Sequence, residues 1–464
     1  MQNQDHHNWF SLPIEVTNIS NSCEFVPISL QVDLTKSLES MGQYGVVDER
    51  SLRLYRIDPD GNEYEEPYQF SSDVEPRYPQ RHLLTSKENV SWGSEWQSDQ
   101  KLTSPKVKGV FTWIAKGDSK GCCRYKLLFG IPSDKIAVQV PFLPNNLRHF
   151  DAHGKPTPLR WFPVMQIRPQ WTLDGIVHIF NGGSLITAYH TGPLLNEPIN
   201  FARIPRRPYF YPVNGPDGVS LTELGKPHDP TGSHAHHYSL WIAHNDVGGN
   251  DFWSERGGLI CHEQFELMED GALFARLVQK TRWLKDGNGY LDERRQITVY
   301  ATPEDFRLID MDLELSASSS KPVELGKTPF GFLAARVAQS MTVFDGSGEI
   351  INSEGQRNEQ YAFWQRARWI DQSGAIAPDK WGGIAIFDHP DNPNYPTAWH
   401  CRNDGWAGTS FNLDSAWKIE AGNPLRLKYR IHLHRHDANT GGVPTRYSEY
   451  ICNPRIDVGV CRPA

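Results

Sequence analysis

The sequence has few of the features that mark a membrane protein or a nucleic-acid-binding protein. It contains no apolar run of the roughly 18 residues that a membrane span requires, and its mean hydropathy is -0.54. It contains no basic block, and its formal net charge is -8 at pH 7. This charge argues against the electrostatic footprint of a nucleic-acid-binding protein. We therefore expect neither a membrane nor a nucleic acid among its partners.

Cysteine is also scarce. The seven cysteines include no CxxC pair, and an odd number at wide spacing fits reduced thiols better than a disulfide framework. The first residues, MQNQDHHNWFSLPIEV, contain neither the charged nor the apolar region of a secretory signal. Together these two features predict a cytoplasmic protein.

Long helical periodicity is nearly absent, whereas short strands are abundant. Alternating runs such as FVPISLQVDL and RYKLLFGI are separated by turn residues, and the chain has 33 prolines and 38 glycines. A chain of 464 residues is long enough for two domains. The sequence predicts an all-β protein with an N-terminal β-sandwich at 8–150, a linker at 151–169 and a larger antiparallel β domain at 170–464.

One run in the second domain, LRLKYRIHLHRHD, predicts a strand with one apolar and one charged face. Leu427, Tyr429 and Ile431 point one way, whereas Arg430 and His434 point the other way. A broad polar sheet face can supply the many directional hydrogen bonds that a saccharide needs, and it predicts His434 as a binding residue. The simpler interpretation is a solvated outer face.

The densest group of versatile side chains lies in GSHAHHYSLWIAHNDVGGNDFW, residues 232–253. This stretch contains four histidines, two aspartates and two tryptophans. If it begins as a strand, His234 and His236 share one face and His237 takes the other. Histidine titrates near neutral pH, so the cluster suits acid–base chemistry or binding of a divalent metal. The alternative is that ordinary hydrogen bonds hold these histidines.

Two further segments carry polar side chains beside turns. RIPRRPYFYPVNGPDG places Arg207 and Tyr209 in a backbone stiffened by proline. IFDHPDNPNYPTAWHCRNDGWAG carries Asp388 and then, on one face of a predicted short strand, His400 and Arg402. We expect all three segments to converge on one concave sheet face of the second domain.

These residue types suit several functions. Elimination from a uronate needs a neutralised carboxylate, a base for the C5 proton and an acid for the leaving oxygen, which Arg, His and Tyr can supply. Three histidines and a carboxylate on a divalent metal would instead suit an epimerase-like or keto-sugar enzyme. Hydrolysis needs paired carboxylates, for which the candidates are Asp246, Asp251, Glu255 and Asp388. The fourth interpretation is saccharide binding without catalysis.

We predict the first of these, a carbohydrate-active enzyme that cleaves a glycosidic linkage in an oligosaccharide by β-elimination. His236 is the predicted base, with His234 or His237 assisting. Tyr209 is the predicted acid, and Arg402 would hold a carboxylate or ring hydroxyls. The residues predicted to bind substrate are Arg207, Tyr189, His244, Asp246, Trp253, His400 and His434. No metal ligand and no cofactor is assigned.

Six motifs occur in an order that resembles a known family. They are TAYHTGP, RRPYFYPVNGPDGVS, SHAHHYSLWIAHNDVGGNDFW, TRWLKDGNGYLDERR, GIAIFDHPDNPNYPTAWHCRNDGW and LKYRIHLHRHD, between Gly175 and Asp437. They resemble a bacterial family of uncharacterised domains that carries the label "methane oxygenase PmoA". The family's Asp-His-Pro-His-His run appears here as SHAHH, which keeps the three histidines but lacks the aspartate and the proline.

This resemblance implies saccharide chemistry on a particular fold. The family is similar in architecture to the β-supersandwich of sugar mutarotases and some polysaccharide lyases, and its members occur with sugar-oxidising dehydrogenases. The leading segment LPIEVTNISNSCEFVPISLQVDL is similar to β-sandwich modules that precede catalytic domains in carbohydrate-active enzymes. A subunit of a membrane methane monooxygenase would need spanning helices, which this sequence lacks.

Overall fold

The structure is a computed structural model that describes residues 7–45, 47–72, 107–118, 121–132, 164–170, 175–195, 207–225, 234–254 and 256–464. Nearly all regular elements are antiparallel strands, so the predicted all-β class is confirmed. The chain divides into two compact units, one formed by residues 1–163 and 452–464 and the other by residues 164–451.

The first unit contains two antiparallel sheets. Its elements before the division are β1 (His7–Thr17), β2 (Val26–Asp33), α1 (Leu34–Glu39), β3 (Asp48–Ile57), β4 (Glu63–Glu66), β5 (Tyr68–Ser72), β6 (Lys108–Ala115) and β7 (Cys122–Pro132). One sheet contains β1, β7, β3 and β4, and the other has the order β2-β6-β5. Residues of both sheets, such as Leu127 and Trp113, share one apolar core, which is the arrangement of a β-sandwich.

The second unit is larger. Its elements are β8 (Met165–Gln170), β9 (Ile176–Asn181), β10 (Ser184–His190), β11 (Tyr209–Val213), β12 (Leu240–His244), β13 (Leu259–Glu269), β14 (Phe274–Lys285), β15 (Asn288–Tyr300), β16 (Phe306–Ala317), β17 (Val323–Leu325), β18 (Gly331–Arg336), a short 3-10 turn (Gln339–Met341), β19 (Glu349–Asn352), α2 (Asn358–Ala362), β20 (Trp369–Ala377), β21 (Lys380–Asp388), β22 (Ala398–Cys401), β23 (Trp406–Ser410), β24 (Trp417–Ile419), β25 (Leu425–Arg435) and α3 (Val443–Tyr450). The chain ends with β26 (Arg455–Val458) and β27 (Arg462–Pro463).

Two eight-stranded sheets and a two-stranded sheet of β17 and β24 form the second unit. The β12 sheet has the order β22-β23-β18-β12-β11-β10-β9-β8, and the β25 sheet has the order β13-β14-β15-β16-β25-β21-β20-β19. One continuous core contains Ile242 and Phe332 from the β12 sheet together with Ile297 and Leu427 from the β25 sheet. Two large antiparallel sheets therefore pack through their apolar faces, as alternating strands require.

The domain bounds differ from those expected at two places. β26 pairs with β1, from Ile14–Val458 to Thr17–Arg455, so the end of the chain belongs to the first unit and not to the second. β8 begins at Met165 and forms the edge of the β12 sheet, within the segment predicted as linker. The rest of that linker, 151–163, and the last part of the predicted β-sandwich, 133–150, lie outside the described residues.

The charged face predicted for β25 is open to solvent only in its first half, where the side chains of Arg426 and Lys428 are 64% and 42% exposed. His432 and His434 are both 0% exposed, and Arg430 is 3% exposed. The guanidinium of Arg430 lies 4.7 Å from the ring centre of Tyr450, in α3. A Cβ added to Gly441, just before α3, would lie 2.2 Å from Nδ1 of His434. The second half of this face is buried beneath the α3 segment, so the prediction that His434 lies on an open saccharide surface is wrong.

Candidate active site

The three polar segments reach the same half of the β12 sheet, at β11, at the turn before β12 and at β22. Tyr209 in β11 pairs with Trp241 in β12, and β18 and β23 lie between β12 and β22. Within β12, Leu240 and Ile242 point into the core between the sheets. Because side chains alternate along a strand, Trp241 and Ala243 point to the opposite face. That face carries the candidate site.

A group of large aromatic residues covers this face. We call it the aromatic cluster, and it consists of Tyr209, Tyr238, Trp241, Trp253, Phe330 and Trp406. The ring centres of Trp253 and Trp241 are 5.4 Å apart, and those of Trp253 and Trp406 are 5.7 Å apart. The indole Nε1 of Trp241 is buried and has no hydrogen-bond partner within the described part of the chain. Such a donor is available to a bound polar group.

The predicted strand through SHAHH is instead a turn. The backbone N–H of His237 donates to the carbonyl of His234 at 3.0 Å, and β12 begins only at Leu240. All three histidine rings consequently gather on one side. The ring of His237 lies 5.0 Å from that of His234 and 4.5 Å from that of His236. The alternation predicted for His236 and His237 is therefore wrong, but the histidines are closer together than a strand would place them.

His237 is buried against the aromatic cluster and has a defined tautomer. It is 2% exposed, and its ring stacks on Trp241 with centres 5.2 Å apart. Nε of Arg336 donates to Nδ1 of His237 at 3.0 Å. Burial, followed by the charge of Arg336, lowers the pKa of His237 well below its usual value. We assign the single ring proton to Nε2, since Nδ1 accepts this bond. His237 is thus a neutral hydrogen-bond donor.

His236 is half-buried, and its imidazole is neutral at pH 7. Burial, followed by the positive charge of Arg207, lowers its pKa to about 4; His234 and Arg336 act in the same direction, whereas the carboxylate of Asp251 opposes them. A neutral imidazole can accept a proton, as a general base must. The side chain of His234 is 30% exposed, and its Nε2 lies 3.8 Å from Oδ2 of Asp404.

A buried arginine and an aromatic stack hold the second segment in place. Arg207 is 0% exposed, its Nη2 donates to the carbonyl of Trp253, and its guanidinium lies 5.6 Å from the ring centre of Tyr238. Tyr209 stacks on His190 with ring centres 4.2 Å apart and planes 7° apart. The predicted residues Arg207, Tyr209 and Trp253 therefore belong to one packed arrangement with the histidine turn.

The third segment reaches the same cluster through His400. Its ring centre lies 4.1 Å from that of Trp406, which in turn lies 5.3 Å from that of His237. Burial, followed by the charge of Arg402, lowers the pKa of His400 to about 4. Arg402 itself follows β22 and forms an ion pair with Glu359 at 2.8 Å. Arg402 thus lies in a turn, not on the strand face predicted for it.

Four predicted binding residues lie elsewhere. Tyr189 is in the core between the sheets, where Nη1 of Arg295 donates to its hydroxyl at 3.1 Å. His244 is 0% exposed and contacts Oδ1 of Asn412 at 3.1 Å through Nε2. Asp246 accepts the N–H of Gly249 in the turn after β12. His434 lies in the β25 sheet. Tyr189 and His244 face the core between the sheets, where His244 contacts Phe332, and His434 lies in the other sheet, so none of the three reaches the candidate site and their predicted roles are wrong.

The carboxylates considered for hydrolysis have structural partners. Asp388 is 1% exposed and accepts the N–H of Thr397 at 2.8 Å, and burial raises its pKa to about 6. Asp251 accepts the N–H groups of Trp253 and Ser254. Glu255 lies outside the described residues. Asp388 and Asp251 thus hold loops in place, which is a role distinct from that of a paired catalytic carboxylate.

Two residues that the sequence did not reveal complete the site. Arg336 is 0% exposed, ends β18 and donates through Nη1 to the carbonyl of Asp404 at 2.8 Å. Trp406 begins β23 and contacts both His237 and His400. An arginine that ends the otherwise apolar run GFLAAR was the available signal for Arg336, because a buried guanidinium needs a specific partner.

Acid sensitivity is expected from the buried histidines. Burial lowers the pKa of His244 to about 4. Below about pH 6.5 the unfolded chain takes up a proton that the folded chain does not, so stability falls as the pH falls. Between pH 7 and pH 5 the free energy of unfolding should fall by about 2 kcal/mol more in wild type than in His244→Gln. Urea unfolding at both pH values measures this, with His178→Gln, on a half-buried β9 histidine, as the control. Equal losses in wild type and His244→Gln would contradict it.

Comparison with known proteins assigns the chain to a family. Residues 177–447 match the family model described as "Family of unknown function (DUF6807)". The match covers more than half of the chain, so the chain belongs to this family. The matching model does not carry the methane oxygenase label that the resemblance suggested. No curated protein sequence matches.

Several solved structures are similar at low identity. A glycosyl hydrolase family 38 protein from Enterococcus faecalis is 10% identical with a TM-score of 0.42, over 97% of this chain and 47% of that chain. Heparan sulfate lyase HepC from Pedobacter heparinus is 9% identical with a TM-score of 0.28, over 62% of this chain and 38% of that chain. This chain therefore spans less than half the length of either protein.

The described residues include no helix with the length and apolar character of a membrane span. In the same part of the chain, no group of three or more His, Cys, Asp or Glu side chains is arranged to hold a metal ion.

Proposed function

We propose that the second unit is a carbohydrate-active enzyme that cleaves a glycosidic linkage of an oligosaccharide by β-elimination from a uronate. One observation carries this proposal. A neutral, half-buried His236 lies near the positive charges of Arg207 and Arg336, beside the aromatic cluster and beside His237, whose Nε2 carries the ring proton. This arrangement combines a proton acceptor with positive charge, which are two of the three requirements of uronate elimination.

The positive charge has a specific use in this reaction. Removing the C5 proton of a uronate moves negative charge onto its carboxylate. Arg207 and Arg336 are both 0% exposed, so their charges act through protein instead of water. Because the carboxylate of Asp404 lies 3.4 Å from Nη2 of Arg336, Arg207 is the principal charge that favours that anion. Nε2–H of His237 is the proposed donor to the same carboxylate or to a neighbouring hydroxyl. Because Arg336 fixes this tautomer, the donor is set before substrate binds.

The remaining roles follow from position. His236 takes the C5 proton, and Tyr209, in the adjacent strand, gives a proton to the leaving oxygen. His234, beside Asp404, is the proposed assistant to the base. The indole rings of the aromatic cluster pack against the apolar C–H faces of the sugar. Arg402 and His400 bind the substrate at the end of the site formed by β22.

Cysteine chemistry bears on where the protein acts. No disulfide joins any of the seven cysteines in the described part of the chain. Seven cysteines without disulfides are typical of a reducing compartment, so we propose the cytoplasm.

The direct test is a screen of polysaccharides that contain uronates. Elimination creates a carbon–carbon double bond conjugated to the carboxylate, and ultraviolet absorbance follows it. We expect one class of these polymers to give this absorbance and chelator to leave the rate intact. New reducing ends without absorbance would indicate hydrolysis. Turnover that chelator abolishes and added metal restores would replace elimination with the keto-sugar reaction.

The pH profile provides a sharper prediction. kcat/KM should fall only below about pH 4, because the free enzyme's His236 has a pKa of about 4 and must be unprotonated. The acid limb of kcat should lie at higher pH, since a bound carboxylate beside the imidazole favours its charged form. Rates over pH 3.5 to 8 measure both limbs, and far-UV circular dichroism at each pH controls for unfolding. A kcat/KM limb near pH 6.5 would contradict the assignment of His236.

A further inference from the structure

A short segment runs along the outer edge of β22, the edge strand that carries His400. The N–H of Trp364 donates to the carbonyl of Trp399 at 2.7 Å, and the N–H of Trp399 donates to the carbonyl of Gln365 at 3.1 Å. Glu359 and Asn403 exchange two further hydrogen bonds, at 3.0 and 2.9 Å, between α2 and the turn after β22. The segment is therefore fixed to the sheet through its backbone at several points.

Trp364 has an unfavourable backbone conformation and an exposed ring. Its φ is 58°, in the left-handed region that a bulky side chain rarely adopts. Burial of the side chain does not offset the cost of this conformation, since the residue is 47% exposed. The indole stacks on Phe363, with ring centres 4.7 Å apart and planes 21° apart. Strain of this kind persists where a function requires the resulting geometry.

This aromatic pair is continuous with the candidate active site. The ring centre of Phe363 lies 4.9 Å from that of His400, which lies 4.1 Å from that of Trp406. Trp406 contacts His237 at 5.3 Å, at the histidine turn. An unbroken series of ring contacts thus extends from the proposed base to the exposed indole of Trp364.

We propose that Phe363 and Trp364 form a second sugar-binding position, which holds a unit of the oligosaccharide beyond the unit that reacts at the histidine turn. This inference rests on the proposed function and adds that the substrate is a chain of several sugars. The apolar face of a pyranose packs on the indole, while its hydroxyls face the neighbouring polar groups. Rigid aromatic surfaces with a few fixed polar groups are typical of small-ligand sites.

The neighbours of this pair favour a saccharide over a protein partner. The ion pair of Arg402 and Glu359 lies beside it, with the two side chains 48% and 30% exposed. The ion pair of Arg366 and Asp414 follows in the same segment, with side chains 42% and 66% exposed. The core of a protein interface is depleted of charged residues, whereas sugar hydroxyls bind to such groups readily.

Trp364→Asn is the variant that tests this position. Asparagine adopts the left-handed conformation with little strain, so the variant should unfold at the same temperature as wild type or at a higher one. Trp364→Phe keeps an aromatic ring and should restore part of the binding. Tyr44→Asn removes an exposed ring of the first unit, which is 81% exposed, and is the control.

The probes are oligosaccharides of galacturonate, of mannuronate and of glucuronate with hexosamine, each from disaccharide to hexasaccharide, with cellohexaose as a neutral comparison. Calorimetry gives Kd for each length. We expect wild type to bind the hexasaccharide of one uronate series more tightly than its disaccharide. Trp364→Asn should reduce this ratio about 3- to 10-fold, as the loss of one aromatic contact implies, and Tyr44→Asn should retain it.

The possible results separate this inference from the proposed function. An unchanged length ratio in Trp364→Asn overturns the second position, even if a His236 variant loses turnover. A reduced ratio without any measurable cleavage supports the second position and overturns the cleavage reaction. If wild type binds none of the probes, both proposals fail. If Trp364→Asn instead alters self-association in sedimentation and leaves saccharide affinity unchanged, the pair is a protein interface.

Discussion

His236→Ala is expected to lose about 10²- to 10⁴-fold in kcat on a uronate oligosaccharide, which is the usual effect of removing a general base. The fold should survive, because His236 lies in a turn and is only half-buried. Double-bond absorbance under saturating substrate measures the loss. Thermal unfolding of the same variant measures its stability.

Two comparisons make this result specific to acid–base chemistry. His178→Ala removes a half-buried histidine of β9, which lies next to the edge strand β8 of the β12 sheet, and should retain the wild-type rate. Tyr209→Phe removes one transferable proton while the ring continues to stack on His190, so it should lower kcat with little change in substrate affinity. A His236→Ala enzyme with wild-type kcat would remove His236 from the mechanism.

The strand pattern of the fold could be predicted from the sequence, but its local interruptions could not. In β12, Leu240 and Ile242 face the core, as alternation requires. The strand does not extend to residues before Leu240, because Ser239 has a φ of 57°. The hydroxyl of Ser239 forms a hydrogen bond with that of Thr222 at 2.6 Å. Thr222 lies 17 residues before Ser239 in the sequence. Neither serine nor its neighbours indicate such a conformation.

The candidate site could be predicted only where its residues lie close together in sequence. The cluster around His236 was evident from composition alone. Arg336, which determines the tautomer of His237, lies 99 residues from it in sequence. For His434, alternation indicated the correct face of β25, but α3 comes later in the chain and buries that face. Exposure of a strand face depends on what packs on it, which the strand's own sequence does not contain.

A large loss of stability is expected from a substitution far from the candidate site, at the buried pair of His434 and Asp371. Nε2 of His434 lies 2.8 Å from Oδ2 of Asp371, and both side chains are 0% exposed. Burial acts to lower the pKa of His434, but the charge and hydrogen bond of Asp371 outweigh it and raise that pKa. Asp371→Ala leaves the imidazole buried without its carboxylate. Removal of one partner from a buried ion pair costs about 3 to 5 kcal/mol of unfolding free energy.

The pH dependence of this cost identifies its origin. Since the pKa of His434 is raised in the folded state, the pair's stabilisation is complete below the unfolded value of 6.5 and disappears as the pH rises through the folded value. Urea unfolding should therefore show a larger deficit for Asp371→Ala at pH 6 than at pH 9. Asp305→Ala breaks an exposed ion pair with Arg435, in which Asp305 is 81% exposed, and should cost no more than about 1 kcal/mol. A deficit for Asp371→Ala that is equal at the two pH values would mean that a neutral hydrogen bond, not a charged pair, holds β25 to β20.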